Sequence, residues 1–282
     1  MLKIAGVTIL YNPKEDVIEN ILSYLDQIEI LYVIDNSEKI EKEIIQRIKI
    51  LNRVKILENL KNIGIAAALN KSAEHAIIDG YDILLMMDQD SKVSENFVEE
   101  MIKMLHQDTK IGLISPFVIH RNNPKNPPEA MFENISIAIT SGSIMRLSVF
   151  EDIGKFEEKL FIDYVDHEYC LRMRSHGYKI VQLNSVFIFH DLGHTECRNF
   201  LFFKVFPTNH SPIRWYYRTR NRLYVRKKFS NTFKDYVKLD KLIFQKELLK
   251  ILLYERDKIE KIKMMIRGYI DFKKNIFGKF DC

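Results

Sequence analysis

The sequence predicts an α/β protein with a mostly parallel, doubly wound sheet and a basic helical tail. Short, continuously apolar runs alternate with segments of helical apolar spacing over roughly the first ninety residues, which is typical of strand–helix units with right-handed crossovers. Acidic residues follow these runs, and the charge changes sign along the chain. Residues 201–282 hold 21 Lys and Arg against 8 Asp and Glu, whereas residues 1–200 hold 22 against 30. We therefore expect a catalytic or binding domain over residues 1–225 and a basic amphipathic helical extension over residues 226–282.

The first four units can be followed in order along the chain. Apolar runs at 4–11, 30–34, 54–57 and 83–87 predict strands, and helical spacing predicts helices at 18–28, 40–48 and 62–80. No Gly-x-Gly-x-x-Gly follows the first strand, and the sequence has no Walker A lysine loop. A nucleotide bound at this sheet would therefore need its phosphates neutralised by a metal ion more than by a glycine-rich cradle.

In the second half of the chain the predicted strands and helices alternate less regularly. We expect a helix at 94–106, a strand at 111–119, a proline-containing loop at 121–133 and a strand-like run at 135–145 that is interrupted at Gly142. Ser148 and Glu151 predict a capping box for a short helix. A further helix is expected within residues 161–177, and a further strand is expected at 178–189, directly before His190.

Asp88 and Asp90 follow the fourth predicted strand directly. Two carboxylates at a strand end can hold a divalent cation through their oxygen atoms. The alternative is a loop whose acids are only solvated, because Asp-x-Asp is common by accident. The four strand–helix units favour the metal site, because they place the pair at the ligand-binding edge of the sheet.

Asp163, Asp166 and Glu168 crowd into the first turns of the helix predicted within residues 161–177. Acids near a helix N-terminus are ordinarily partners of the helix dipole, but this cluster can equally include a general base. His190 has two interpretations as well, because a lone histidine is usually structural and one at a strand end can join a metal shell.

The tail combines aromatic and basic residues. An aromatic and arginine cluster spans 214–222, and apolar residues recur at helical spacing from 239 to 266 with Lys and Arg between them. Such helices dock on anionic membranes or pack on their own domain with a solvated basic face. No nucleic-acid module accompanies the cluster, so nucleic acid is not expected as a partner. The apolar helices leave a homodimer open.

The cysteines and apolar runs bear on location. Cys170, Cys197 and Cys282 are odd in number and lack Cys-x-x-Cys spacing, which fits a reducing cytosol. No apolar run approaches the roughly 18 residues of a membrane span, and the N-terminal run lacks a cleavage-site pattern. We expect a cytoplasmic protein, peripheral at the inner face of the cell membrane.

These motifs, in this order, resemble the inverting family 2 glycosyltransferases of the GT-A fold over about residues 4–225. The resemblance rests on residues 7–13, Asp35-Asn36-Ser37, Asn62-Ile63-Gly64 with Asn70, Asp88-Gln89-Asp90, Ser141-Gly142-Ser143 and Asp166-x-Glu168-x-Cys170-Leu171-Arg172. It is closer to bacterial dTDP-rhamnose-dependent rhamnosyltransferases, through residues 84–91, 161–168 and the run Arg-Trp-Tyr-Tyr-Arg-Thr-Arg-Asn at 214–221.

The resemblance implies a role for each motif. Asp90 would be the main ligand of Mg²⁺ or Mn²⁺, with Asp88 beside the ribose or the metal and His190 near the diphosphate. The nucleotide sugar would be bound by Thr8, Tyr11, Asp35, Gly64, Asn70, Asp88 and Gln89. Asp166 would be the general base, and the acceptor side would include Ser141, Gly142, Asp163 and Glu168. The chain departs from the family at Val165, where an acid is usual.

The implied reaction is the transfer of L-rhamnose from dTDP-β-L-rhamnose to a lipid-linked glycan acceptor in the synthesis of a bacterial surface polysaccharide. A UDP-sugar donor is the alternative within the family. A nucleotidyltransferase is disfavoured, because the first strand lacks a phosphate loop rich in glycine and lysine. A non-catalytic adaptor would leave the acidic clusters at Asp88 and Asp166 unexplained.

Overall fold

The structure, a computed structural model, describes residues 2–38, 42–59, 61–120, 126–189, 198–200, 203–205 and 207–280. Backbone contacts divide the chain into two units. The first comprises Met1–Glu158 and Val165–His190, and the second comprises Lys159–Tyr164 and Asp191–Cys282. The expected boundary after residue 225 stays a prediction about the extent of the catalytic domain.

The first unit begins with the alternation that the apolar runs predicted. Its first half contains β1 (Ile4–Leu10), α1 (Asp16–Leu25), β2 (Ile30–Asp35), α2 (Lys42–Lys49), β3 (Val54–Glu58), α3 (Ile65–Ile78) and β4 (Ile83–Asp88). The inner strands form because their apolar runs bury side chains on both faces of the sheet, as in β4, where every residue from Ile83 to Met87 is buried. Strand β3 lies at the sheet edge and buries only Leu57.

The second half of this unit completes the sheet. It contains β5 (Lys92–Val93), α4 (Phe97–Leu105), β6 (Ile111–Ile119), β7 (Phe132–Asn134), β8 (Ser143–Arg146), α5 (Leu147–Ile153), α6 (Val165–Ser175) and β9 (Lys179–Phe189). The strand order is β3-β2-β1-β4-β8-β6-β9-β5, with β7 paired to β9. Strands β1 to β4 are parallel, as expected, whereas β5, β7 and β8 run antiparallel to their neighbours. The mixed α/β fold is confirmed.

Three local expectations were wrong. The expected loop at 121–133 extends too far, because its last two residues belong to β7, which pairs with β9, although residues 126–131 are irregular as expected. The strand-like run at 135–145 becomes a strand only from Ser143, where β8 pairs with β4 and β6. Ser148 is not a helix cap, because α5 already begins at Leu147, and the residue at its N-cap position makes no side-chain capping bond.

The second unit contains β10 (Arg198–Phe200), β11 (Phe203–Val205), α7 (Pro212–Phe229), α8 (Lys234–Tyr254) and α9 (Lys258–Lys273). A short 3-10 helix, Glu158–Leu160, spans the junction with the first unit. Trp215 on α7 packs with Ile251 on α8 and Met265 on α9 in one buried cluster. The aromatic and arginine cluster of the tail is therefore largely internal, since Trp215, Arg220 and Arg222 are almost fully buried. None of the described helices is both long enough and apolar enough to cross a membrane.

Candidate active site

The carboxyl ends of three neighbouring strands form the edge at which the sequence predicted a ligand. In the register of β1 with β2, Leu10 lies opposite Asp35, and in the register of β1 with β4, Ile9 lies opposite Asp88. Tyr11 follows β1 directly and is 46% exposed. The structure therefore brings Tyr11, Asp35 and Asp88 to adjacent strand ends, which is where open α/β sheets bind ligands.

The loop after β2 is held by its own polar side chains. The Ser37 N–H donates to Asp35 Oδ1 at 2.9 Å, and Asn36 Nδ2 donates to the Gly64 carbonyl at 3.1 Å. Gly64 occupies the N-cap position of α3 and donates its N–H to Asn62 Oδ1 at 2.9 Å. These bonds join the Asp35 loop to the start of α3, so the two expected parts of the nucleotide pocket are neighbours.

Asn70, which was expected in the same pocket, uses its side-chain amide for hydrogen bonds to other residues of the chain. Its Nδ2 donates to the Phe156 carbonyl at 3.0 Å and to Glu158 at 2.8 Å. Its Oδ1 accepts from the Phe156 N–H at 2.8 Å. Both amide hydrogens are therefore used, and the contacts indicate that Asn70 positions the segment at 156–158.

The turn after β4 is fixed from two sides. The Asp88 N–H donates to Ser141 Oγ at 3.0 Å, and Ser141 Oγ donates to Ser91 Oγ at 2.9 Å. The Gln89 side chain accepts from the Tyr11 N–H at 2.8 Å and donates to the Tyr11 carbonyl at 3.1 Å. Ser141 and Gln89 thus hold the acidic turn against its neighbours, and a direct contact of either with a sugar stays a prediction.

Thr8 is fully buried on β1 beside the Tyr24 side chain of α1. Burial raises the pKa of Tyr24, an effect that the Thr8 hydroxyl opposes and the Asp88 carboxylate reinforces. The phenol of Tyr24 therefore stays protonated next to the acidic turn. Thr8 belongs to the inner wall of the site.

Sequence reasoning missed three polar residues at this turn. Asn20 Nδ2 donates to the Gln89 carbonyl at 3.0 Å, Ser91 accepts from Ser141, and Tyr24 lies near enough to Asp88 for that carboxylate to raise its pKa. Asn20 and Tyr24 lie four residues apart on the buried face of α1. Polar side chains on the apolar face of a helix are the signal that could have found them, and Ser91 was visible as the last residue of the motif at 84–91.

Gly142 lies where a larger residue would not fit. Its φ is +75°, and a Cβ built there would lie 2.7 Å from Ile188 Cδ1 and 2.8 Å from Pro116 Cγ. Its N–H donates to the Met86 carbonyl at 2.7 Å, two residues before Asp88. Gly142 therefore lets β8 begin close beside the end of β4.

The acidic turn has ligands that fit a hard divalent cation. Asp88 is half-buried and Asp90 is exposed. Two carboxylates are the usual protein share of a Mg²⁺ site that substrate phosphates complete. Within the described residues, no group of three His, Cys, Asp or Glu side chains forms a complete metal site. The third expected ligand, His190, lies outside the described residues.

The three acids around the start of α6 differ sharply in their surroundings. Glu168 is fully buried and accepts two bonds from Arg172, at 3.0 and 2.8 Å. Asp163 has a side chain that is 6% exposed and accepts two bonds from Arg214, at 3.1 and 2.7 Å. Asp166 is half-buried, and within the described part of the chain it forms no ion pair.

The pKa shifts follow these contacts. Burial would raise the pKa of Asp163, but the guanidinium groups of Arg214 and Arg218 outweigh it and hold the pKa below its usual range. Burial would likewise lower the pKa of Arg172, but Glu168 raises it above its ordinary value. Asp163 is therefore held ionised, and Glu168 is already bonded to Arg172. They are poor candidates for a group that must take up a proton during turnover.

Arg172, which Glu168 holds in place, also bonds to the chain after α5. Its Nη1 donates to the Ile153 and Gly154 carbonyls at 2.7 and 3.1 Å, and its Nη2 donates to the Lys155 carbonyl at 2.7 Å. The Glu168–Arg172 pair thus secures the chain after α5. An acceptor-side contact of Glu168 stays a prediction.

The chain is similar to two sugar transferases. The chain is 26% identical over 297 residues to the dTDP-rhamnosyl transferase RfbF of Shigella flexneri, covering 98% of this chain and 97% of that protein. It is 23% identical over 213 residues to the low-salt glycan biosynthesis hexosyltransferase Agl10 of Haloferax volcanii, covering 68% of each chain.

Solved structures share the fold. GalNAc-T7, solved with UDP, GalNAc and Mn²⁺, superposes with a TM-score of 0.67 at 14% identity over 98% of this chain, which spans 56% of that chain. The mannosyltransferase PcManGT from Pyrobaculum calidifontis, solved with GDP-Man and Mn²⁺, gives a TM-score of 0.61 at 12% identity, covering 99% of this chain and 76% of that one.

The family model described as Glycosyl transferase family 2 matches residues 7–181. This span runs from β1 to β9, and it contains the strand-end residues, the acidic turn and Asp166. Because the match covers more than half of the chain and the structure has the GT-A fold of its solved neighbours, the protein belongs to the family 2 glycosyltransferases.

Proposed function

We propose that this glycosyltransferase is metal-dependent and inverting, and that it transfers L-rhamnose from dTDP-β-L-rhamnose to a lipid-linked glycan acceptor. One observation supports the mechanism most directly. Of the three acids around the start of α6, Asp163 and Glu168 are each neutralised by an arginine, whereas Asp166 has no such partner in the described chain. Similarity to RfbF over nearly the full length supports the donor.

The strand-end residues supply the donor site in this proposal. Asp35 receives a single described hydrogen bond, from Ser37, so its carboxylate has acceptor capacity for the imide N–H of thymine. Tyr11 is exposed beside it and offers a ring for stacking. Asp88 and Asp90 would hold Mg²⁺ or Mn²⁺, which when bound neutralises the charge that the departing diphosphate gathers.

Asp166 carries the proton transfer. An acceptor hydroxyl attacks the anomeric carbon and loses its proton to the Asp166 carboxylate, while the bond from that carbon to the diphosphate oxygen breaks. Attack from the face opposite the leaving group inverts the anomeric centre once. A β-linked donor therefore gives an α-L-rhamnoside, with dTDP as the second product.

A donor panel tests the substrate. The protein is incubated with Mn²⁺ and dTDP-rhamnose, UDP-sugars or GDP-mannose, and the release of nucleoside diphosphate and the rise in melting temperature are measured. We expect dTDP-rhamnose to give the largest response. A UDP-sugar is the second candidate, because GalNAc-T7 was solved with UDP. If no sugar nucleotide binds, the proposal fails.

Asp166→Asn tests the base. We expect donor affinity to be retained and transfer to fall by at least about a hundredfold, the usual scale for loss of a general base. Glu151→Gln is the control, because it also turns an acid into an amide but lies exposed on α5, and it should transfer at the rate of the unaltered protein. Unchanged turnover in Asp166→Asn would show that another residue is the general base.

The lipid-linked acceptor requires a route to the membrane, and α8 carries a suitable face. Large apolar side chains are exposed along this helix at Leu239, Leu242, Ile243, Leu249, Leu252 and Leu253. Five lysines accompany them, whereas Asp240 and Glu247 are paired with arginines of α7. An apolar and basic surface is what binds an anionic bilayer, so we propose peripheral docking through α8 at the cytoplasmic face.

Vesicle binding tests this surface. Replacing Leu249, Leu252 and Leu253 together by serine should abolish co-sedimentation with phosphatidylglycerol vesicles and leave catalysis on a soluble acceptor intact. Ile78→Ser is the control, since Ile78 is 80% exposed on α3. Equal vesicle binding by the triple variant would refute docking through α8. A change from dimer to monomer, without vesicle binding by either protein, would assign the face to a homodimer.

A further inference from the structure

The segment at 159–164, which directly precedes α6, has an unusual backbone. Phe161, Asp163 and Tyr164 have φ values of +65°, +62° and +65°. Residues with a Cβ rarely adopt this left-handed conformation, because it costs free energy and persists only where the surroundings impose it. Three such residues within four positions require a strong external restraint.

Asn221 on α7 supplies much of that restraint. It is fully buried, and its Nδ2 donates to the carbonyls of Leu160, Ile162 and Asp163 at 2.8, 2.8 and 2.9 Å. Its Oδ1 accepts from Arg220 Nε at 3.0 Å. With carbonyls on one side and an N–H on the other, this pattern permits only one orientation of the amide.

Arg220 extends the restraint. It is fully buried, and its guanidinium donates to the Leu160 and Gly278 carbonyls at 3.3 and 2.9 Å. Burial lowers its pKa, and no carboxylate pairs with it in the described chain. A buried cation without an ion pair is expensive to keep. The hydrogen bonds of Arg220 hold these backbone carbonyls in position.

The side chains of the segment are anchored as well. Asp163 pairs with Arg214 on α7. Tyr164 donates its hydroxyl to Asp240 of α8 at 2.7 Å and accepts from Arg222 of α7. Backbone and side chains of the strained residues are therefore both held by the helices of the second unit.

One peptide bond joins Tyr164 to Val165, the first residue of α6, and Asp166 follows. We propose that Asn221, supported by Arg220, is a positioning residue for the general base, because it fixes the strained turn from which the base-bearing helix starts. This inference rests on the proposed role of Asp166. It also gives a function to the run at 214–221, whose role the sequence left open.

Asn221→Ala and the milder Arg220→Lys test the restraint. The control is Thr219→Val, because Thr219 is nearly buried on the same helix and its hydroxyl has no hydrogen-bond partner in the described structure. We expect kcat to fall by about ten- to a hundredfold in Asn221→Ala, the scale of a small misplacement of a catalytic group. The donor dissociation constant should change less than about threefold, and Thr219→Val should retain full kcat.

A double variant separates positioning from general destabilisation. If Asn221 acts through Asp166, adding Asn221→Ala to Asp166→Asn should lower kcat no further, whereas independent effects would multiply. Multiplied losses, or equal losses of kcat and donor affinity in the folded single variant, would overturn the proposal. So would an unchanged kcat.

Hydrogen exchange keeps the test independent of the reaction. Peptides covering 159–170 should exchange faster in Asn221→Ala and in Arg220→Lys than in Thr219→Val. If Asp166→Asn transfers at the normal rate, the base assignment fails, and with it the catalytic part of this inference. If exchange is unchanged, the restraint itself is refuted, whatever the activity.

Discussion

Gly142→Ala should destabilise the protein by about 1–5 kcal/mol. The left-handed φ of +75° costs a residue with a Cβ about 1–2 kcal/mol. Overlap with Ile188 Cδ1 at 2.7 Å and Pro116 Cγ at 2.8 Å adds about 1–3 kcal/mol of overpacking. Against this, alanine lowers the entropy of the unfolded chain, which offsets about 0.4–1 kcal/mol.

Gly80→Ala isolates the steric part of this cost. Gly80 has nearly the same φ, +79°, but a Cβ built there would have nothing within 4 Å. The two variants therefore share the conformational cost, and their difference, about 1–3 kcal/mol, measures overpacking alone. Urea unfolding followed by far-UV circular dichroism gives both values when the slopes of the transitions agree.

The same pair of variants links packing to the site. The Gly142 N–H bonds to the Met86 carbonyl at 2.7 Å, so a displaced Gly142 should disturb the end of β4 and weaken donor binding. Gly80→Ala should leave donor binding unchanged. If Gly142→Ala lowers the free energy of unfolding no more than Gly80→Ala does, Pro116 and Ile188 do not crowd the Gly142 position.

Three further predictions follow from single residues. Burial, with Arg214 and Arg218, lowers the pKa of His210 from 6.5 to about 4. Below pH about 6.5 the unfolded chain therefore binds a proton that the folded chain does not, and about 2 kcal/mol should be lost between pH 7 and pH 5; His210→Gln should remove most of this loss, and an equal loss in both proteins would contradict it. Burial raises the pKa of the Cys170 thiol to about 12, so iodoacetamide at pH 8 should label the Cys170 peptide in urea but not in the native protein, as measured by mass spectrometry. Labelling of the native protein would contradict the burial of this thiol. Asp90→Asn should weaken Mn²⁺ binding measured by calorimetry at least about tenfold, and an unchanged affinity would place the metal elsewhere.

Much of the fold could be predicted from the sequence because its determinants are local. The apolar run before Asp88 identifies a buried strand by its length and composition, and the strand–helix alternation then fixes the parallel half of the sheet. The two-residue strand β5 and the strand β7 carry no such signal. They are strands because β9 lies beside them, and pairing of this kind depends on context more than on propensity.

The candidate site divides in the same way. Sequence motifs alone identified the family, the acidic turn at Asp88 and Asp90, and the segment that holds Asp166. The family resemblance pointed to Asp166 as the base, but spacing along the chain does not show which arginine reaches which carboxylate, so the sequence did not reveal that Asp163 and Glu168 are already paired.

Only the tertiary structure assigned Arg172 to Glu168 and Arg214 to Asp163. It likewise directed the amide of Asn70 to Phe156 and the hydroxyl of Ser141 to the acidic turn. The physical reason is that hydrogen bonds and ion pairs depend on the positions of two groups distant in sequence, whereas periodicity depends on neighbours. The sequence by itself determined which chemistry the chain carries, and long-range contacts decided which of its polar groups are already occupied in holding the fold.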